Sequence, residues 1–417
     1  MSTALINIVW SCTLLLVTAA GGTAAWAQDD QSAQDSQVPA NVPAEPTLER
    51  PNTSGNQYRT AIAALESTQG AYSPQLTESL LSLGVALQQS GDHSGAIKAF
   101  KRGVHLARIN DGLYSAQQIP MLQGEVGSHM ALGQYAEADE RQLYLYRVQM
   151  RSMEGGLSRA QAFMQQAQWQ YNAYRLALDG QGYARLMSMW DLYRLALNDI
   201  VDRQGATSVL LMEPLEGMLL SQYLTANYDV QDINGGAENF SLQQQLNRFN
   251  AYRAQSYQKG QAIIQAIYDI EVANHGINSK ETVNARVMLG DWTLWFGERE
   301  TAMNAYGQAL AELVARDDAE TEIDAIFGAP VELPNLDGAR HLPPTAPPER
   351  ANLLLEFGVN QQGKVYDLER LDENELNKAK ANNLMRTLRR TQFRPRLAMG
   401  EPQDTEKVTR AYEIEQQ

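Results

Sequence analysis

Cysteine is almost missing from this chain: Cys12 is the only one in 417 residues, and it sits in an apolar N-terminal stretch. Beyond that stretch no disulfide, thiolate metal centre or cysteine nucleophile can form. Histidine is scarce too. His93, His105, His129, His275 and His341 are the only five, and no two stand three or four residues apart, so the usual helical zinc spacing is lacking. No G-x-S-x-G, H-E-x-x-H or G-x-x-x-x-G-K-[ST] motif occurs. The residues therefore predict neither enzyme, metal site nor cofactor. Charge is missing from residues 1–27, which contain no Asp, Glu, Lys or Arg, so the net charge of −15 falls on the remainder. From Arg350 onward 12 basic residues face 11 acidic ones, which leaves the excess acidity on the part before it. Such a body repels phosphate backbones, and nucleic acid is not an expected partner.

Long apolar runs are absent except for Ile6 to Ala20. That run is short for a membrane span, and Ala25-Trp26-Ala27 follows it as an A-x-A cleavage site. Residues 1–27 thus read as a signal peptide, with export to a Gram-negative periplasm and Gln28 as the mature N-terminus. Membrane contact is expected only if this segment stays uncleaved. Residues 28–57 are rich in Gln, Ser, Asp and Pro and predict a disordered tether. A second break, 329–349, holds Pro330, Pro334, Pro343, Pro344, Pro347 and Pro348 and predicts a semi-stiff linker.

Between these breaks, residues 58–328 follow a helical period with an internal repeat. Leu83-Gly84, the turn Gly91-Asp92, then Ala96, Phe100 and Gly103 return as Leu289-Gly290, Gly297-Glu298, Ala302, Tyr306 and Ala309. The agreement extends to Gly70 and Ser73, which recur 206 residues later as Gly276 and Ser279. A weaker copy surrounds Gly133 and Ala138, with Glu125-Val126 in place of Leu-Gly and Gln142 in place of the aromatic. Close helix approach is expected where Gly84 faces Ala96, with Phe100 filling the gap to the next repeat. Residues 150–254 keep helical spacing without a clean repeat signature. This pattern resembles the tetratricopeptide repeat. The resemblance implies an α-helical solenoid with a partner-binding groove, and in its register Val85, Gln88, Asp291 and Trp295 face that groove.

After the second break, alternation replaces helical period. Leu353, Leu355, Phe357 and Val359 share one face; Asn360 to Gly363 make a turn; Lys364 to Leu371 return as a strand. Asp372 and Glu375 are spaced for a helix start, and Ala381, Leu384, Met385 and Leu388 form one apolar face. Gln392 to Leu397 and Lys407 to Ile414 read as two further strands, separated by a turn at Gly400-Glu401-Pro402, in the order β-β-α-β-β. With Phe357-Gly358-Val359, Gly363-Lys364-Val365, Leu388-Arg389-Arg390 and Gln392-Phe393-Arg394-Pro395, residues 350–417 resemble the TonB C-terminal domain family.

The expected fold class is thus mainly α, a tetratricopeptide-like solenoid followed by a small α+β domain. The second resemblance implies partner capture at an exposed strand edge, for which Thr409 and Ala411 are the candidates. Arg389 and Arg390 lie in a basic run that either contacts an acidic partner or complements a helix C-terminus. The expected function is a periplasmic scaffold binding envelope proteins or peptides. The competing reading is an energy transducer of the TonB class, or an accessory of outer-membrane transport, although residues 1–27 lack the His that such anchors carry.

Overall fold

The structure, a computed structural model, describes residues 53–178, 182–229, 240–347, 349–372 and 378–414. The expected signal segment and most of the expected tether lie outside these residues, as does Glu375 of the helix-start reading. Residues 53–57, read as tether, already belong to the first helix. Among the described residues no helix is long and apolar enough to cross a membrane.

The described part is mainly helical, with strands gathered near its C-terminal end. Helices α1 (Thr53–Gln69), α2 (Gln75–Gln89), α3 (His93–Asp111), α4 (Ile119–Ala131), α5 (Tyr135–Ser152) and α6 (Leu157–Arg175) come first. Then follow α7 (Gly182–Gln204), α8 (Met212–Asn227), α9 (Phe240–Arg253), α10 (Ser256–His275), α11 (Lys280–Trp295), α12 (Arg299–Val314) and α13 (Ala319–Phe327). The chain forms two compact units, one ending at Trp169 and one running from Gln170 to the C-terminus, so the division falls inside α6.

Three helix-to-helix turns share one geometry because each offers a glycine where the backbone must enter the left-handed region. Gly91, Gly133 and Gly297 have φ of 82°, 68° and 90°. Their amides close on Gln88, Met130 and Leu294 at 3.0 Å, and the next amides reach Leu87, His129 and Thr293 at 2.9 Å. That pair of bonds satisfies the last carbonyls of each helix. Asp92 then caps α3 by accepting from Gly95 N at 2.8 Å.

The hairpins α2–α3 and α11–α12 also close on a repeated contact. Gly84 lies directly against the ring of Phe100, and Gly290 against the ring of Tyr306, with no room for a Cβ at either glycine. The expectation had paired Gly84 with Ala96. Ala96 is buried, but the glycine instead makes room for the aromatic, which is also flanked by Gly124 of α4. The core of residues 53–169 is built around Phe100, Leu76, Leu80, Leu106, Met121 and Leu122.

In the weaker third copy two repeat positions that are apolar elsewhere are polar. Glu125, at the place of Leu83, has a fully buried side chain, and neither carboxyl oxygen has a hydrogen-bond partner. Arg141 approaches to 3.2 Å. Burial outweighs the attraction of Arg141 and Lys101 and pushes the Glu125 carboxyl up to about 7. Gln142, at the aromatic position, donates to Gln166 at 3.0 Å inside the protein.

The strand region comprises β1 (Val331–Leu333), β2 (Leu353–Val359), β3 (Val365–Arg370), helix α14 (Lys378–Arg390), β4 (Gln392–Arg394), β5 (Arg396–Ala398), β6 (Glu401–Gln403) and β7 (Thr405–Tyr412). One antiparallel sheet has the order β3-β2-β7; two further pairs are β1-β4 and β5-β6. The expected single strand Gln392 to Leu397 is split at Pro395, which has no amide to donate, and its halves pair with different partners. Glu401-Pro402, expected in a turn, belongs to β6, and Met399-Gly400 make the turn. The Pro-rich segment departs from a bare linker: its β1 pairs with β4, while Leu333 and Leu342 are buried in neighbouring cores. The prolines flank β1 without entering it, which leaves its amides free to pair.

Two outcomes are expected. Gly→Ala inside a helix ordinarily gains roughly 1 kcal/mol, and Gly307→Ala in α12, which meets open space, should do so. Gly84→Ala and Gly290→Ala should instead cost roughly 1–3 kcal/mol through overlap with the rings; equal shifts of all three in thermal melts would contradict the close approach. The raised Glu125 value means that the folded chain holds a proton which the unfolded chain releases above about 4.5. Stability should therefore fall by roughly 3 kcal/mol between pH 4.5 and 7 and level off above. Urea titrations should show Glu125→Gln lacking that component of the slope.

Candidate functional site

The residues expected to face a partner groove have separate fates. Gln88 donates to Gly124 O at 2.9 Å and Ser128 Oγ at 2.8 Å, so its amide bridges α2 and α4 inside the unit. Val85 is 40% exposed on α2. Trp295 is half-buried, edge-on to Tyr223 at 5.1 Å and against Phe296 at 4.9 Å. Asp291 is only 4% exposed, which corrects the reading of it as a free groove residue.

What covers Asp291 is the strand region of the same chain. Arg394, at the end of β4, sends Nη1 to both carboxyl oxygens of Asp291 at 3.1 Å, and the Tyr306 hydroxyl donates to Oδ1 at 2.8 Å. Arg394 also lies over the Phe327 ring, with its carbon 5.5 Å from the centroid. Burial pushes the Asp291 carboxyl above its ordinary value, and Arg394 and Tyr306 act against that rise. Burial and the neighbouring carboxylate together hold the Tyr306 hydroxyl well above the usual phenol range, so it remains a donor. Nothing in the sequence alone pairs Asp291 with a residue 103 positions away; the only available signal was an acidic residue among apolar ones on α11.

A second tie runs through the Pro-rich segment. Glu332 of β1 accepts from Arg410 of β7 at 3.1 Å and from the Leu342 amide at 3.0 Å. These bonds explain why residues 331–342 are ordered beside the sheet. The outer edge of β7 is partly taken as well: Ala346 N donates to Ala411 O at 2.8 Å. Backbone direction alternates along a strand, so the Thr409 amide and carbonyl face the same way as those of Ala411. Further back, Lys407 has φ of 58° and the β2–β7 register shifts between Phe357 and Val359. The edge regular enough for strand addition is therefore short, and Ala411 shares it with Ala346.

The basic run is dispersed. Arg394 is buried against Asp291; Arg386, Arg389 and Arg390 are exposed on α14; Arg396 is exposed on β5. Arg386 and Arg390 reach a cavity of about 570 Å³ whose lining also includes Trp295, Phe296, His341 and Lys364. Arg389 is not among its lining residues. Among the described residues no group of three or more His, Cys, Asp or Glu side chains is placed to hold a metal.

Compared with known proteins, the chain matches no family model and no curated protein sequence.

The Asp291–Arg394 pair yields a prediction. Removing only the carboxylate, in Asp291→Ala, leaves a buried guanidinium uncompensated and should cost roughly 3–5 kcal/mol. Asp291→Leu combined with Arg394→Met should recover most of that loss in the same denaturation assay; additive losses would show that the pair is not the shared cause.

Proposed function

We propose that this chain is an exported protein-interaction scaffold, a tetratricopeptide-like helical array with a TonB-like C-terminal domain. One observation supports the reading: a face of α11 packs against the strand region of the same chain through Asp291 and Arg394. Tetratricopeptide-like hairpins are repeated copies of one surface, so a face that docks protein in one copy is available in another. The residue 206 positions before Asp291 is Val85, and there the face is open.

The matching Gly–aromatic contacts and matching turns of α2–α3 and α11–α12 support treating the two positions as equivalents. An exposed valine in place of a buried aspartate points to an apolar contact on the partner rather than an ion pair. Partner binding through the β7 edge is the second surface of this reading, with Thr409 as its centre and Ala346 as the group an incoming strand has to displace. Export rests on the apolar run and Ala25-Trp26-Ala27.

The test is crosslinking in a Gram-negative host that expresses the full chain. A photoreactive residue at Val85 should give a discrete adduct that Val85→Asp in a competing copy fails to suppress and the parent chain does suppress. The same group at exposed Lys98, on the partner helix α3 of the same hairpin, should give none. Loss of the difference between the two positions sinks the groove reading, and a secreted mass that does not begin at Gln28 sinks the export reading.

A further inference from the structure

Lys364, Arg386 and Arg390 share the lining of the 570 Å³ cavity with no Asp or Glu. All three belong to the segment from Arg350 onward, where basic and acidic residues are nearly balanced, so the clustering is local rather than a matter of net charge. Several arginines of the same unit are matched: Arg394 by Asp291, Arg410 by Glu332, Arg370 by Asp372 and Arg316 by Asp318. Lys364, Arg386 and Arg390 form no ion pair among the described residues. Arg386 and Arg390 stand one turn apart on α14, so their guanidinium groups project from the same helix face. Lys364 follows the β2–β3 turn, whose Gln361 carbonyl accepts from Arg299 of α12 at 2.8 Å.

Like charges gathered at one concavity repel one another, and a bound anion relieves that repulsion. The same lining has an apolar and aromatic part, Leu294, Trp295 and Phe296 at the end of α11. Trp295 is held in place by its contacts with Tyr223 and Phe296, so the aromatic wall is preorganised. The volume suits a small molecule or one or two peptide residues. We propose that this cavity binds a carboxylate joined to an apolar group, with the carboxylate on Arg386, Arg390 and Lys364 and the apolar part against Trp295 and Phe296. A free organic acid and the C-terminal residue of a peptide share this chemistry. The site stands whether or not the scaffold reading holds.

The experiment titrates the full chain, by ligand-observed NMR, with N-acetylphenylalanine, its carboxamide, N-acetylglycine and the free acid of Ala-Ala-Ala-Phe. N-acetylphenylalanine should bind, with the carboxamide and N-acetylglycine each weaker by roughly tenfold or more. Arg386→Ala with Arg390→Ala should weaken the acid by a similar factor while circular dichroism stays unchanged, since both side chains are exposed. Tighter binding of the peptide acid than of N-acetylphenylalanine assigns the site to chain termini; the reverse order assigns it to free acids. Equal binding of acid and carboxamide overturns the proposal, and so does a double variant that binds the acid as well as the parent. Equal binding of N-acetylglycine removes the apolar half of the claim and overturns it as stated.

Discussion

A carboxylate and a guanidinium taken out of water together set the terms for the C-terminal half of this protein. Asp291 and Arg394 are each nearly fully buried, and neither is tolerable there without the other. A buried pair of this kind adds little net stability over apolar residues of the same size. It does penalise every arrangement in which the two ends fail to meet. Tyr306 sharpens the requirement, because the ring that fills the space over Gly290 also donates to Asp291. A single residue thus answers to both the helix-pair packing and the ion pair.

The ordering of the Pro-rich segment follows from the same constraint. With Arg394 fixed at the end of β4, the backbone of Gln392 to Arg394 needs a pairing partner, and Val331 to Leu333 supply it. Glu332 is thereby carried to Arg410, and Leu333 joins the apolar cluster of Tyr306, Leu313 and Phe327. Prolines confined to the flanks make this compatible with the composition that suggested a linker. Composition reports what a segment is able to bury, not what neighbouring strands require of it.

Much of the architecture was legible because it follows from local spacing. The helix pairs at Gly84 and Gly290, their glycine turns, and the alternation of Leu353, Leu355, Phe357 and Val359 are written within a few residues of one another. Features that join distant positions were not. The pairing of β1 with β4, the burial of Asp291 under Arg394, and the dispersal of the arginine run depend on contacts separated by tens of residues, for which one sequence has no periodic signal. Glu125 and Gln142 lie between these cases: their departure from the repeat was visible, but only burial reveals its electrostatic consequence.

The pairing of β1 with β4 also bears on how the chain is made. Val331 leaves the ribosome about 60 residues before its partner Arg394, and β7, which completes the three-stranded sheet, begins only at Thr405. The helical hairpins are able to close while synthesis proceeds, since their contacts are local. The strand region cannot, and its sheet stays incomplete until β7 is available to pair with β2. During that interval the finished face of α11 presents an uncompensated Asp291, a landing point already in place for Arg394 when it arrives.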